Sequence, residues 1–281
     1  MESIEKIEKR KIKLIIKPPM LRCRGELTGD NMNDKKPLGR KSYGHIPHLP
    51  NSRMGVADHK CSEGQARIAT EKKRDKHDNI IVQEKLDGSN VGVAKINGDI
   101  IALTRSGYTA ISSPYEQHHY YDKWVNKNKS RFDKILNEGE RICGEWLLQA
   151  HGTRYNLKDK EPFVAFDLYD NNNKRILFLE LIKRVNVEFQ IPLTLSIADP
   201  ISIETAIRRL ENNNDFNAID KREGVVYRVE RNRVINKQTG ERKKEVDFLV
   251  KYVRPDKKDG IYLPSVSNKP PVYNCDLEKY T

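Results

Sequence analysis

Cysteine is scarce in this 281-residue chain, and the four present, Cys23, Cys61, Cys143 and Cys275, stand far apart and form no C-x-x-C pair. That excludes a disulfide scaffold and argues for free thiols in a reducing compartment, so a cytoplasmic location is expected. No apolar run approaches the length needed to span a bilayer, and the charged N-terminus lacks a signal-peptide core. Internal repeats and extended low-complexity tracts are missing. So are a glycine-rich phosphate loop and a regular strand-helix alternation, which argues against a doubly wound nucleotide fold. Acidic residues are the minority charge, 40 Asp and Glu against 52 Lys and Arg, for a net +12. A basic excess favours polyanionic partners: RNA, DNA, nucleotides or acidic surfaces.

The excess is uneven. Residues 1–44 hold 12 Lys/Arg and 6 Asp/Glu, half of the net charge, and read as a basic N-terminal extension. Within it, residues 11–16 alternate as an edge strand would, and residues 28–36 read as a polar loop. Residues 45–79 are irregular and rich in turn formers. Strands are expected over 80–85, 91–96 and 100–104, with Asn97-Gly98 as a tight hairpin turn. A long helix is expected over 114–137, capped by Ser112 or Ser113. Strands at 141–148 and 163–169, helices at 178–189 and 203–210, and strands at 224–229 and 246–253 complete the chain. The expected class is α+β, built on mainly antiparallel sheets with flanking helices. Residues 45–254 form the expected catalytic domain and 255–281 a short proline-rich tail.

Polar residues interrupt these apolar strands in an ordered way. Lys85, Asp87, Gly88 and Asn90 lie in the run QEKLDGSNVGV. A surface hairpin turning at Asp87-Gly88 would explain that run by itself. It does not explain why Arg105, Glu145, Asp167, Glu223 and Lys251 each follow or interrupt another strand. A solvated sheet face would scatter its charges at alternate positions instead.

The motifs resemble those of the covalent nucleotidyltransferases, the polynucleotide ligases and capping enzymes, and within them ATP-dependent RNA ligases of the type that seals duplex or bridged ends. The likeness covers about residues 80–254. It rests on Lys85-Leu-Asp87-Gly88-Ser-Asn90, Thr104-Arg105-Ser106, Cys143-Gly144-Glu145, Phe163 to Asp167, Glu223-Gly224-Val225-Val226 and Val250-Lys251-Tyr252. The resemblance implies a ligase adenylation domain that uses ATP with Mg²⁺ or Mn²⁺. It makes Lys85 the nucleophile on the α-phosphate, forming a lysyl-AMP. A lysine amine needs a lowered pKa for that attack, which burial and neighbouring cations such as Lys251 would supply. Glu145 and Glu223 are implied for a ribose hydroxyl and for the metal. Phe163 would stack on adenine, and Glu84 would read the adenine edge or the ribose. Asp87 and Gly88 belong to the nucleotide-binding turn. Arg105 would grip a ribose or the terminal phosphate, and Asn90 the α-phosphate or the RNA end.

The implied activity joins 5′-phosphate and 3′-hydroxyl RNA ends through an adenylated RNA. DNA nick sealing, 5′-adenylation without sealing and an inactive RNA-binding module are the alternatives. The last motif departs from its K-x-K pattern. Val253 replaces the second lysine, and Arg254 takes that role only if the strand ends or bulges there. The barrel or helical C-terminal domain of relatives is not expected in the 27 residues after Arg254. RNA contacts are therefore expected from residues 1–79 and the partner strand, or from an accessory RNA-binding or end-healing subunit. Arg154, in a loop after the Glu145 strand, and Arg254 are further RNA-contact candidates. His45, His48, His59 and Cys61 are spaced too tightly for a zinc finger and read as a loop packed over the nucleotide pocket, with Arg53 near phosphate. His118, His119, Trp124 and Trp146 read as packing residues.

Overall fold

The computed structural model describes residues 36–185 and 187–280. The expected edge strand at 11–16, most of the loop at 28–36 and Cys23 lie outside the described residues. Among the described residues, eight strands form two four-stranded antiparallel sheets. The first has the order β6-β1-β7-β8: β1 (Asn79–Lys85), β6 (Thr194–Ser196), β7 (Gly224–Val234) and β8 (Arg242–Val253). The second has the order β3-β2-β4-β5: β2 (Ser89–Ile96), β3 (Asp99–Thr104), β4 (Arg141–Trp146) and β5 (Phe163–Tyr169). Asn97 and Gly98 take positive φ, 52° and 82°, which is the geometry a two-residue hairpin needs.

Each sheet buries one apolar face under helices. Ile80, Val82, Val225, Tyr227, Val229 and Val250 of the first sheet pack with α1 (Glu63–Thr70) and α5 (Ile203–Glu211) through Ala66, Ala69, Ala206 and Leu210. Helix α1 falls in the stretch expected to be irregular. Its signal is the capping box of Ser62 and Gln65, which satisfies two helix-end donors reciprocally. The second sheet carries an aromatic core of Tyr121, Trp124, Phe132, Trp146, Phe163 and Phe189.

The helix expected over 114–137 is two helices, α2 (Glu116–Lys127) and α3 (Lys129–Ile135). Asn128 breaks it, with φ −114° and ψ 16°. Its side chain donates to the Trp124 carbonyl at 2.8 Å and accepts from Arg131 at 3.0 Å. Asparagine competes with the backbone ladder in this way. The bend brings Phe132 edge-on to Trp124 and stacks it on Phe189 at 4.5 Å. Tyr115, not Ser112 or Ser113, is the N-cap of α2. Helix α4 (Phe178–Val185) ends before Phe189, which turns into the core.

Both flanks of the central region pack into it. Ser42 and Tyr43 amides donate to the Arg105 carbonyl at 3.1 and 3.2 Å. The tail beyond 255 folds back on β4 and the loop that follows it. There the Asn274 side chain donates to the Leu147 carbonyl and accepts from the Tyr155 amide, and Tyr280 joins the aromatic core. Among the described residues no helix is long and apolar enough to cross a membrane.

Candidate active site

Strand register assembles the site. Lys85 pairs with Gly224 across β1 and β7, so Glu223, just ahead of β7, meets it, and the Lys85 Nζ donates to Glu223 Oε2 at 2.5 Å. Val226 pairs with Lys251 across β7 and β8. In the second sheet Asn90 pairs with Glu145 across β2 and β4. A cavity of about 560 Å³ is lined from both sheets, by Glu84, Lys85, Val226, Arg228 and Lys251 of the first and by Asn90, Glu145 and Phe166 of the second. Gly88 and Arg105 line it as well, as do Tyr43, Gly44 and His45 from the segment before α1.

The turn after Lys85 is held from below. Gly88 N donates to Glu145 Oε1 at 3.0 Å, and a Cβ at Gly88 would lie 2.5 Å from the Trp146 carbonyl, so only glycine fits the close approach. Asp87 faces away from the cavity. Its Oδ2 accepts from Gly152 N at 3.1 Å and Thr153 Oγ1 at 3.0 Å. Its expected nucleotide contact is therefore replaced by a role in fixing the turn.

Glu223, then Glu145 and more weakly Asp87, act on the Lys85 ammonium. Burial by itself would lower the Lys85 pKa, but those carboxylates outweigh it and hold the amine above its ordinary value. This reverses the expectation of a depressed lysine in the ligand-free protein. Burial raises Glu145 and Glu223 to about 7 against the pull of Lys85. Lys251 moves the other way, lowered by burial and then by repulsion from Lys85. Buried carboxylates with excess proton affinity are suited to a hard cation. Among the described residues no three His, Cys, Asp or Glu side chains are grouped to hold a metal by themselves. Glu145 and Glu223 therefore fit an ion that keeps water and phosphate oxygens as its other ligands, as Mg²⁺ does.

The apolar end of the cavity corrects a second expectation. Phe163 is fully buried among Trp124, Phe132 and Phe189 and does not line the cavity. Gly144 exists to admit it, because a Cβ there would sit 2.5 Å from the Phe163 ring. Phe166 lines the cavity instead. Between the pairs Cys143–Asp167 and Gly144–Ala165 the register slips by one residue, leaving Phe166 as the extra residue of a bulge. Alternation already sets Phe166 opposite Phe163 and Ala165, and the bulge turns the next residue, Asp167, to the cavity side with it. Phe166→Ala is expected to raise the ATP concentration needed for half-maximal binding about tenfold, the scale of one lost base stack. Phe163→Leu should leave ATP binding unchanged while lowering stability by about 1 kcal/mol. Fluorescent-nucleotide titration and thermal melting of the two variants check this pair.

Glu84 is 2% exposed, and neither carboxylate oxygen has a hydrogen-bond partner among the described residues; Arg222 Nε stands 3.9 Å away. Burial raises its pKa to about 7 against the pull of Arg222. The folded state thus holds this proton more tightly than the unfolded chain. Its contribution to stability is complete below about 4.5 and is lost as pH rises through about 7. Glu84→Gln removes the titration. Relative to wild type, the variant should gain about 3 kcal/mol between pH 5 and pH 8, read from denaturant melts at both pH values. A pH-independent difference would show that Glu84 is not desolvated. Asn90 Oδ1 is likewise buried without a partner among the described residues.

Asp167 organises the wall behind Phe166. It is fully buried and bonds Arg228 at 2.7 Å, Arg175 at 2.8 Å and the Tyr43 hydroxyl at 2.9 Å. These arginines hold its carboxyl below the usual range in spite of burial. Arg154 and Arg254, expected at RNA, are not cavity residues. Arg154 pairs with Asp220 at 3.4 Å beside Tyr262. Arg254 is turned to Glu211 and Asp256. Sequence reasoning missed His118 and His151, both cavity-lining. His118 is held by Ser89 and Ser113 at 2.7 and 2.6 Å. It also missed Asp58, which stands 3.5 Å from the Lys251 ammonium and 3.1 Å from His48 Nε2.

Residues 78–253 match the RNA ligase family. An uncharacterized protein of Methanocaldococcus jannaschii is 24% identical over 164 residues, 54% of this chain and 38% of its own length. The chain thus spans well under half the length of that curated relative. Among solved structures, an archaeal ATP-dependent RNA ligase is 20% identical with a TM-score of 0.37, over 63% of this chain and 43% of that one. A mutant of Naegleria gruberi RNA ligase solved with ATP and Mn is 17% identical with a TM-score of 0.47, over 76% and 56%.

Proposed function

Since the chain belongs to the RNA ligase family, we propose that it is an ATP-dependent ligase joining 5′-phosphate to 3′-hydroxyl RNA ends. The observation that carries this reading is Lys85 at the wall of a two-sheet cavity, hydrogen-bonded to Glu223 and set among Glu145 and Lys251. ATP fits by chemistry. Phe166 offers a face for the base, the Glu84 carboxyl has no hydrogen-bond partner among the described residues and suits its edge, and Asn90 and Arg105 line the same cavity.

The Lys85 amine attacks the α-phosphorus; a P–N bond forms, the P–O bond to the β-phosphate breaks, and pyrophosphate leaves. An RNA 5′-phosphate oxygen then takes the AMP from Lys85. Finally the 3′-hydroxyl oxygen attacks the adenylated 5′-phosphate, and AMP departs as the phosphodiester forms. All three are in-line displacements, so positioning and charge neutralisation dominate. Mg²⁺ or Mn²⁺ at Glu145 and Glu223 would supply Lewis-acid neutralisation of phosphate charge. Lys85 must shed a proton before it attacks, and neutralising the surrounding carboxylates is what makes that possible.

The test is incubation with α-labelled ATP and a divalent metal, reading label on denatured protein, followed by chase with nicked RNA and matched DNA duplexes. Label that passes into a sealed RNA strand supports the proposal. Label that moves only to a 5′ end would reduce it to adenylation, and no label from ATP would sink it.

A further inference from the structure

Val253 stands where the resemblance leads to a second lysine, and its apolar side chain is 5% exposed. Arg254 does not replace that cation, because its guanidinium is bound to Glu211 at 2.7 Å on the other side of the strand. Lys257 does not replace it either. All three of its ammonium donors are taken, by the Gly152 carbonyl, Thr153 Oγ1 and the Lys221 carbonyl.

A neighbouring segment reaches the same place. Residues 47–53 run along β8: Lys251 N donates to the Pro47 carbonyl at 2.9 Å and Leu49 N to the Lys251 carbonyl at 2.8 Å. At the next turn Val253 N donates to Ser52 Oγ and Arg53 N to the Val253 carbonyl, both at 2.9 Å. Arg53 is thereby fastened beside Val253. Its side chain is 29% exposed and bonds Asp259 at 2.8 Å, itself 65% exposed. The guanidinium also lies within the field of Glu223 and Asp87, two carboxylates of the Lys85 cluster. It lies outside the cavity that Phe166, Glu84, Lys85 and Lys251 line together, so only a group extending out of that cavity past Lys85, as a polyphosphate tail would, can meet it.

We propose that Arg53 supplies the second cation of the last motif, binding the β- and γ-phosphates of ATP and the departing pyrophosphate. This rests on the ligase reading of the Lys85 site. A guanidinium suits the task because its forked donors match two phosphate oxygens. Asp259 holds the fork in an exposed pair, and exposed pairs yield readily to a more highly charged competitor.

The experiment uses the full chain and three readouts: labelling by α-labelled ATP, discharge of the labelled protein by inorganic pyrophosphate, and sealing of pre-adenylylated RNA. Arg53→Ala is expected to raise both the ATP and the pyrophosphate requirement about tenfold, and Arg53→Lys to recover part of each. Pre-adenylylated RNA carries no β- or γ-phosphate, so its sealing should fall about tenfold less than labelling does. Asp259→Asn breaks the same ion pair while keeping the cation, and should stay within about twofold of wild type in labelling. Equal losses in Arg53→Ala and Asp259→Asn would make the pair a structural clasp and overturn the proposal. An unchanged pyrophosphate requirement in Arg53→Ala would overturn it too. A wild-type chain that takes no label defeats the ligase reading itself, and this proposal with it.

Discussion

Lys85→Ala is expected to lose covalent labelling by ATP by at least about 10³-fold, the scale of deleting a nucleophile. The cause is chemical rather than structural, and a second variant separates the two. Lys85→Arg keeps a cation beside Glu223, whose carboxylate accepts the present 2.5 Å bond. A guanidinium is not a nucleophile at neutral pH, so this variant should also take no label while melting close to wild type. Lys85→Ala should not melt so well. It leaves Glu145 and Glu223, already raised to about 7, without their main counter-charge. Their proton affinity rises further, and the variant should lose stability relative to wild type as pH climbs from about 7 upward. Label retained by either variant, read on denatured protein, would mean that another residue carries the AMP.

Asp167→Ala is the prediction with the largest effect on the fold. Asp167 is fully buried and accepts from Arg228, Arg175 and Tyr43. Its removal strands Arg228, 3% exposed, with Glu230 as its remaining carboxylate at 2.9 Å. Breaking a buried ion pair from one side costs about 3–5 kcal/mol, a fall of roughly 10 °C in Tm for a domain of this size. ATP binding should fall with it, because Tyr43, Phe166 and Arg228 share the cavity wall. The Asp167 carboxyl lies below its ordinary pKa, so its contribution is present above the unfolded value and disappears as pH falls through the folded one. The wild-type advantage over Asp167→Ala should therefore shrink in acid. A variant melting within about 2 °C of wild type at pH 7 would show that the arginines find other partners.

The order of motifs was legible because each lies at a strand end. Lys85, Glu145 and Lys251 are ionisable residues beside apolar strand runs and Glu223 stands just ahead of one, and such residues stand out in one dimension. Antiparallel pairing could be expected from Asn97-Gly98 and the meander around it. The break at Asn128 was less visible, since one asparagine in an amphipathic run does not by itself end a helix. The capping box at Ser62 and Gln65 is a helix-start signal readable from the sequence.

Sequence alone determined which chemistry the chain is equipped for, since the residue types and their order do not depend on packing. Tertiary structure decided which residue performs each task. Phe163 and Phe166 differ by three positions, so alternation sets them on opposite faces, but only the packing of the folded chain decides which face is core and which is cavity. Arg53 and Val253 lie two hundred residues apart, yet the segment 47–53 runs beside β8 and ties them, through Arg53 N to the Val253 carbonyl and Val253 N to Ser52 Oγ. The Lys85 pKa was beyond the reach of sequence for the same reason. It is set by distances to carboxylates brought from three separate parts of the chain, the turn after β1, strand β4 and the approach to β7, and electrostatic energy depends on those distances, which only the folded chain defines.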